Sequence, residues 1–476
     1  MQITVILAFV VVLSFGAGAV SPAHPAALFS GVAVYWAGAA AVAWALTRGA
    51  LRRLERAGDS IADVSRRYQR WQILPRIYLV GGFAALMVCG LGERLGRVPG
   101  AGVIVLMDEA LAIGVFFVAL LIHWRLNYPF DQAVRQHLEQ ELLLAGQPVR
   151  AGWSAREHME FHIRHHFAFV AVPMALMVAA WDALSIIDTR IAPGALSDEA
   201  RVAAMAVAVA GVFFFAPVLL VRVWRSRPME DGELRRRIER LCEKINLRYR
   251  QLRIWDTGGV LVNAGVMGLH RSVRYILISD AMLENMDDRQ IVAVFGHEAG
   301  HVKHHHILYF LVFTKLAMLT CLAVTAGVLM LTPDGPWKAV VELILSALLV
   351  AGVWGVGFGW LSRRFERQAD VYGSWCAAVD GRINGGREPT SHELEDGTPT
   401  FVAALENVGR LNGAPREMPN WRHGSIAARV DFLIRWVHRG GSRIAFDRTV
   451  HRVKVALWLG LLAAIALAAA TYPAWL

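Results

Sequence analysis

The sequence predicts a mainly α-helical, polytopic membrane protein with about nine spans and a small split α+β domain, carrying a small β-sheet, outside the bilayer. Three observations predict it. Of 476 residues, 55% are hydrophobic and only 18% are charged, whereas a soluble domain carries about 25% charged residues. The apolar residues gather into nine stretches of the length a helix needs to cross a bilayer, about 20 residues. Two hydrophilic segments, 225–306 and 362–452, are long enough to fold. This composition excludes a soluble globular chain, a disordered chain and a fibrous repeat.

The nine stretches are 3–20, 26–47, 76–92, 101–123, 167–187, 202–224, 307–332, 338–361 and 453–474. Only Met1 and Gln2 precede the first, so it lacks the basic flank of a signal peptide and reads as an uncleaved span. The third is short and is flanked by Glu93 and Arg94. The net charge of +10 has a pattern: the segments after stretches 2, 4, 6 and 8, counted with Arg76 and Arg222 at the edges of stretches 3 and 6, carry 42 Lys and Arg, and those after 1, 3, 5 and 7 carry 4. Such asymmetry places the basic side, the N-terminus and both hydrophilic segments in the cytoplasm. The charge therefore points to the lipid bilayer as a partner and not to nucleic acid. Four cysteines without a CxxC pair imply no disulfide framework. The excess of Arg over Lys, 44 to 5, fits a bacterial source and hence the inner membrane.

Five parts follow: an N-terminal membrane region 1–224, a first half-domain 225–306, a membrane hairpin 307–361, a second half-domain 362–452 and a last span 453–476. Within the first part, 48–75 reads as an Arg-rich amphipathic helix on the membrane surface, and 124–166 as helix. Residues 380–399, DGRINGGREPTSHELEDGTP, read as a surface loop. Asp108, Glu109, Asp182, Lys315 and Glu342 fall inside stretches. They imply a wet intramembrane cavity, pairing between spans, or boundaries drawn too far.

The chemistry concentrates in MDDRQIVAVFGHEAGHVKHHH, residues 286–306, which holds His297, Glu298 and His301 as HExxH. Ile291, Val294 and Phe295 recur at helical spacing, and Asp287 or Asp288 is placed to cap the helix. Residues four apart share a helix face. His297 and His301 can thus each offer a nitrogen to one zinc ion at about 2.0–2.1 Å. Glu298 can reach a water on that ion without ligating it, the position of a general base. The bland alternative is a chance HExxH in a chain with 17 histidines. The run His304, His305, His306 reads as a solvated face beside the membrane.

Two histidines leave a catalytic zinc one protein ligand short. In SRRFERQADVYG, residues 362–373, Glu366 and Asp370 share a helix face. Glu366 is placed as the third ligand, and Asp370 as the outer hydrogen-bond partner that orients a ligand histidine. These residues alone leave equal room for a surface ion-pair ladder with Arg363, Arg364 and Arg367.

HEAGH followed, beyond a membrane hairpin, by SRRFERQAD resembles the membrane-embedded gluzincin metalloproteases, the family of the CAAX prenyl endopeptidases and the HtpX-type heat-shock proteases. Its pattern is HExxH, one or two spans, then ExxxD with the Glu on zinc. Residues 260–279, VLVNAGVMGLHRSVRYILIS, resemble its strand-rich stretch with an Asn-Ala pair before the metal helix. WRHGSIAARVDFL, residues 421–433, is similar to its His-Pro-x-x-x-x-Arg element, with Gly424 in place of the usual Pro. The resemblance covers about 225–435. It implies a zincin-like catalytic domain, one zinc ion per chain and a peptide or protein substrate. It also puts Asn263 and Ala264 on a sheet edge that holds extended peptide. His423, at the family spacing, is the candidate to stabilise an oxyanion, with Arg429 orienting it or binding the substrate backbone.

The expected function is a zinc metalloendopeptidase in membrane-protein quality control or processing. A transporter or receptor with a non-catalytic metal site fits nine spans but gives HExxH and Glu366 no role. A site-2-type protease would bury HExxH in an apolar span, whereas MDDRQ before it and VKHHH after it place this one at the interface. A degenerate scaffold would have lost catalytic residues, and all those expected are present.

Overall fold

The computed structural model describes residues 1–14, 24–56, 60–100, 104–144, 153–191, 194, 197–333, 335, 337–380, 391–418, 420 and 422–471. They form two compact units. The first comprises Met1–Pro228, Tyr249–Val262 and Met267–Asn285, and the second Met229–Arg248, Asn263–Val266 and Met286–Leu476.

The first unit is built on helices: α1 (Gln2–Ser14), α2 (Pro25–Leu54), α3 (Ile61–Trp71), α4 (Ile73–Val88), α5 (Leu91–Gly96), α6 (Met107–Leu144), α7 (Ala155–His162), α8 (Phe169–Ile186) and α9 (Asp198–Val223). A π-helical stretch, Ile163–Ala168, joins α7 to α8. Phe83, Phe116, Leu120 and Trp124 are fully buried in its core. Polar side chains tie helix to helix there: the Tyr35 hydroxyl donates to Leu79 O at 2.9 Å and Trp36 Nε1 to Val115 O at 2.9 Å. Each such bond satisfies a polar group for which a lipid environment offers no partner.

The first unit also holds a small mixed sheet. Strand β1 (Ser226–Pro228) pairs antiparallel with β2 (Gln251–Trp255), with Ser226 opposite Trp255. A further strand, β3 (Ala264–Met267), carries residues 264–266 into the second unit. Strand β4 (Tyr275–Ser279) pairs parallel with β2, Gln251 opposite Tyr275, and all five of its residues are buried. The short helix α11 (Asp280–Asn285) follows it. The strand-rich stretch expected over 260–279 thus contains β3 and β4.

The second unit holds α10 (Glu233–Lys244), α12 (Asp288–Lys303), α13 (His306–Leu331), α14 (Trp337–Val350), α15 (Gly359–Asp380), α16 (Ser391–Leu411), α17 (Ile426–His438) and α18 (Arg443–Thr471). Helices α12 and α15 cross at contact distance because small residues line the crossing. A Cβ added at Gly296 would lie 2.5 Å from Cys376 Cβ, and one at Gly300 would lie 3.1 Å from Tyr372 Cβ. One at Gly373 would lie 3.1 Å from Ala293 O of α12.

Among the described residues, 7 helices are long and apolar enough to cross a membrane: Pro25–Leu54, Asp63–Val88, Met107–His137, Ala155–Thr189, Asp198–Val223, His306–Leu331 and Arg443–Leu467. The chain is a multi-pass membrane protein, with helix length supporting seven of the nine stretches. The first stretch contains a helix of 13 residues, and 15–23 lie outside the described residues. The eighth is divided: α14 ends after 14 residues, and a π-helical stretch, Ala351–Phe358, precedes α15.

Two segments differ from expectation, 48–75 and 380–399. The amphipathic segment 48–75 contains the end of α2 and then α3. For Asp108 and Glu109 the alternative of a boundary drawn too far fits, since they lie in the first turn of α6. A carboxylate there faces the positive end of the helix dipole. Asp182 accepts a hydrogen bond from the Leu106 amide at 2.9 Å. Of the loop expected over 380–399, residues 381–390 lie outside the described residues, while Ser391–Pro399 begin α16.

Candidate metal centre

Helix α12 starts as its sequence demands. The Asp287 carboxylate caps it by accepting the Gln290 amide at 2.9 Å, which satisfies one of the otherwise orphaned first-turn donors. Ile291, Phe295 and Ala299 are buried and fix the helix's rotation. That rotation turns His297 and His301 toward α15. On α15 the Glu366 and Asp370 side chains are 4% and 0% exposed, which is not the burial of a surface ion-pair ladder.

The two histidines point Nε2 at Nε2, 3.2 Å apart. Glu366 Oε2 lies 3.6 Å from His297 Nε2, and Oε1 lies 3.7 Å from His301 Nε2. One ligand atom from each of the three lies within 4.8 Å of the others, and among the described residues no other group of three His, Cys, Asp or Glu converges in this way. Buried Glu366 Oε2 has no hydrogen-bond donor; the nearby Arg429 guanidinium stands 3.8 Å away, beyond hydrogen-bond reach, so a closer cation or donor would lower the cost of burying this oxygen. Two imidazoles and one carboxylate are also a donor set that catalytic zinc takes. The residues present fit a metal ion.

Each candidate ligand has an outer partner. His297 Nδ1 lies 2.9 Å from Asp370 Oδ1. Arg429 on α17 donates from Nε to Asp370 Oδ2 at 3.0 Å and from a terminal nitrogen to Oδ1. Burial opposes the charge of Asp370, but Arg429 and then His297 outweigh it and hold its pKa below the ordinary value. His301 is pushed down to about 3, first by burial and then by His297. It is therefore a neutral imidazole, the form that binds metal. Burial raises the pKa of Glu298.

His423 precedes α17, and its Nδ1 lies 2.8 Å from Glu366 Oε1. Its loop is held by Asn420, whose side chain accepts the amides of Arg422 and His423 at 3.0 and 3.3 Å. Gly424 follows with φ +78°. Proline is locked near −65°, so the departure from the family's usual Pro has a local backbone to match.

A cavity of about 510 Å³ opens over these groups. Its wall includes His297, Glu298, His301, Glu366, His423 and Arg429, together with Asn263 and Ala264 of the strand-rich stretch. Of the residues singled out in the sequence, Asp370 alone lies behind the wall. Asn263 is exposed and Ala264 buried.

The sequence reading missed His306. It is 0% exposed, with Nδ1 2.8 Å from His301 Nδ1 and its ring stacked on Phe365 at 4.2 Å. The expectation of a solvated His304–His306 face fails here because the helix does not continue. His305 adopts a left-handed conformation, φ 56°, which ends α12 and folds His306 back against His301. A positive φ at a non-glycine residue is not a signal a helical-spacing argument contains.

Residues 228–383 match the sequence model of Peptidase family M48. A CAAX prenyl protease 1 homolog of Arabidopsis thaliana is 26% identical over 168 residues, 33% of this chain and 40% of that protein. A protease HtpX homolog of Thermoplasma acidophilum is 22% identical over 213 residues, 44% of this chain and 63% of that protein. The crystal structure of S. mikatae Ste24p is 14% identical, with a TM-score of 0.48, and covers 87% of this chain and 100% of its own. The chain thus spans less than two thirds of the length of either relative by sequence. The family match and the two sequence relatives bear out the resemblance drawn from the motifs.

Proposed function

We propose that this chain, whose residues 228–383 match Peptidase family M48, is a membrane-bound zinc metalloendopeptidase. The observation that carries the reading is the convergence of His297, His301 and Glu366 within 4.8 Å, with Glu298 on the wall of the same cavity. His297 Nε2, His301 Nε2 and the Glu366 carboxylate would hold the ion. Zinc bound there supplies Lewis acidity and lowers the pKa of a water to about 7. Glu298, its proton affinity raised by burial, takes a proton from a water in the cavity and returns it to the leaving amine nitrogen, as general base and then acid. His423, held through Nδ1 by Glu366 and with a side chain 43% exposed, is the candidate to meet an oxyanion. Arg429 is committed to Asp370 and so balances the charge behind His297.

The substrate is an extended peptide. Asn263 and Ala264 line the cavity, and main-chain pairing with such a segment holds many sequences, hence broad specificity. Quality control or processing of membrane proteins is the role that suits it. The excess of Lys and Arg on one side supports a cytoplasmic catalytic domain split by the 307–361 hairpin, in a bacterial inner membrane.

The test compares wild type and Glu298→Gln, purified in detergent, for bound metal and for cleavage of an unfolded protein. Intact metal with cleavage reduced about 10²–10⁴-fold is expected. Unchanged cleavage removes Glu298 as the base, and metal-free wild type favours a transporter or receptor.

A further inference from the structure

Beyond the three candidate ligands a chain of hydrogen bonds starts at His306, on the cavity wall, and ends at a residue that does not line the cavity. His301 Nδ1 meets His306 Nδ1 at 2.8 Å, and His306 Nε2 meets Gln368 Oε1 at 3.0 Å. Gln368 Nε2 donates to Asp447 Oδ1 at 2.6 Å and lies 3.2 Å from His304 Nδ1. Asp447 stands in the first turns of α18, where Arg443 approaches its other oxygen at 3.4 Å. Lys454, further along the same helix, donates to His304 O at 2.7 Å.

The direction of every bond follows from the far end. A carboxylate only accepts, so the amide group of Gln368 must turn its NH₂ to Asp447 and its oxygen to His306. His306 must then carry its proton on Nε2 and leave Nδ1 bare. A bare Nδ1 can only accept, so His301 must carry its proton on Nδ1. The lone pair of His301 is thereby left on Nε2, the atom that faces His297 Nε2 and Glu366. A neutral imidazole has two tautomers, and the partner of one nitrogen decides what the other can do.

We propose that His306 and Gln368 form a relay through which Asp447, at the root of the last membrane helix, holds His301 in the tautomer that binds metal. They are positioning residues for the centre proposed above, and the inference rests on that reading. His297 reaches the same state through one carboxylate, Asp370. His301 reaches it through two neutral groups, which places no second buried charge beside the site. The last span is thereby more than a membrane anchor, because its root also steadies one ligand of the ion.

The test is a Co²⁺ titration of the metal-stripped full chain in detergent, read by the visible absorption of the ion and by chelator competition. His306→Phe keeps an aromatic ring on Phe365 and deletes both nitrogens. It is expected to weaken Co²⁺ binding about 10–100-fold, the loss typical of a missing outer partner, and to alter the spectrum. Asp447→Leu frees the Gln368 amide to flip and is expected to weaken binding about tenfold. Asp447→Asn can still present an oxygen and restores near wild-type affinity and spectrum. His306→Phe binding as wild type, or Asp447→Leu and Asp447→Asn behaving alike, overturns the relay. The Asp447 pair decides the matter where His306→Phe fails to fold by size-exclusion chromatography. Wild type that takes up no Co²⁺ overturns the metal centre itself, and is seen before any variant is compared.

Discussion

Two pairs of histidines in this chain share one spacing and do opposite things. His297 and His301 on α12 are four apart, and so are His158 and His162 on α7. The α12 rings meet edge to face, 78° apart at 4.9 Å, with Nε2 toward Nε2. The α7 rings stack, 24° apart at 4.3 Å. The cause is what each Nδ1 binds. On α12 both Nδ1 atoms find partners outside the helix, Asp370 and His306. On α7 the Nδ1 of His162 is taken by the carbonyl of His158, one turn back in its own helix, at 3.1 Å. His158 is 2% exposed, with Asp131 Oδ2 3.5 Å from its Nδ1, but Arg135 and Trp153 already donate to that oxygen. Spacing puts two histidines on one face. Partners beyond the helix aim them at a common point.

Loss of Asp370 should do most to erase the difference between the pairs. Replacing it with Ala removes the partner of His297 and leaves the guanidinium of Arg429 buried without its carboxylate. Disrupting such a pair costs about 3–5 kcal/mol, and losing an outer partner costs about 10–100-fold in metal affinity. A clear fall in the thermal midpoint and in zinc affinity is expected. Wild-type values for both would mean that the α12 pair orients itself without help.

A smaller effect is expected from Gly296→Ala, which touches no ligand. The added methyl meets Cys376 Cβ at 2.5 Å and forces α12 away from α15, with an overpacking cost of about 1–3 kcal/mol. Because Asp370 and Glu366 ride on α15, metal affinity should fall with stability. Loss of stability alone would show that the ligand geometry tolerates separation of the helices. The smallest effect concerns the α7 pair. His162→Ala should leave bound zinc unchanged, since no ligand trio converges around it among the described residues. A lower metal content, measured by elemental analysis, would reveal a second site on α7.

How much of this could be read from the residues differs by element. The α12 cap, HExxH and the shared face of Glu366 and Asp370 are local facts of helical period, and the structure places them together. The close approach of α12 and α15 was not legible, although Gly296, Gly300 and Gly373 stood in the sequence. Glycines at a crossing show their use only once the partner helix is known. His306 was hidden for a different reason: one residue, His305, leaves helical φ/ψ and reverses the inference from spacing. The eighth stretch, 338–361, reads as one apolar run, yet composition does not record where α-helix gives way to π-helix. The first, 3–20, shows a helix of 13 residues.

The glycine-lined crossing has a consequence for how the centre is loaded. The separation between the histidines and Glu366 is set by backbone meeting backbone, not by an ion drawing the ligands together. A small zinc domain loses its fold with its metal because the ion is its core. Here the core is Phe295, Phe365, Ala369 and their neighbours, none of them a proposed ligand. For the proposed centre, loading and folding should then be separate events: a chelator is expected to empty it without unfolding the chain.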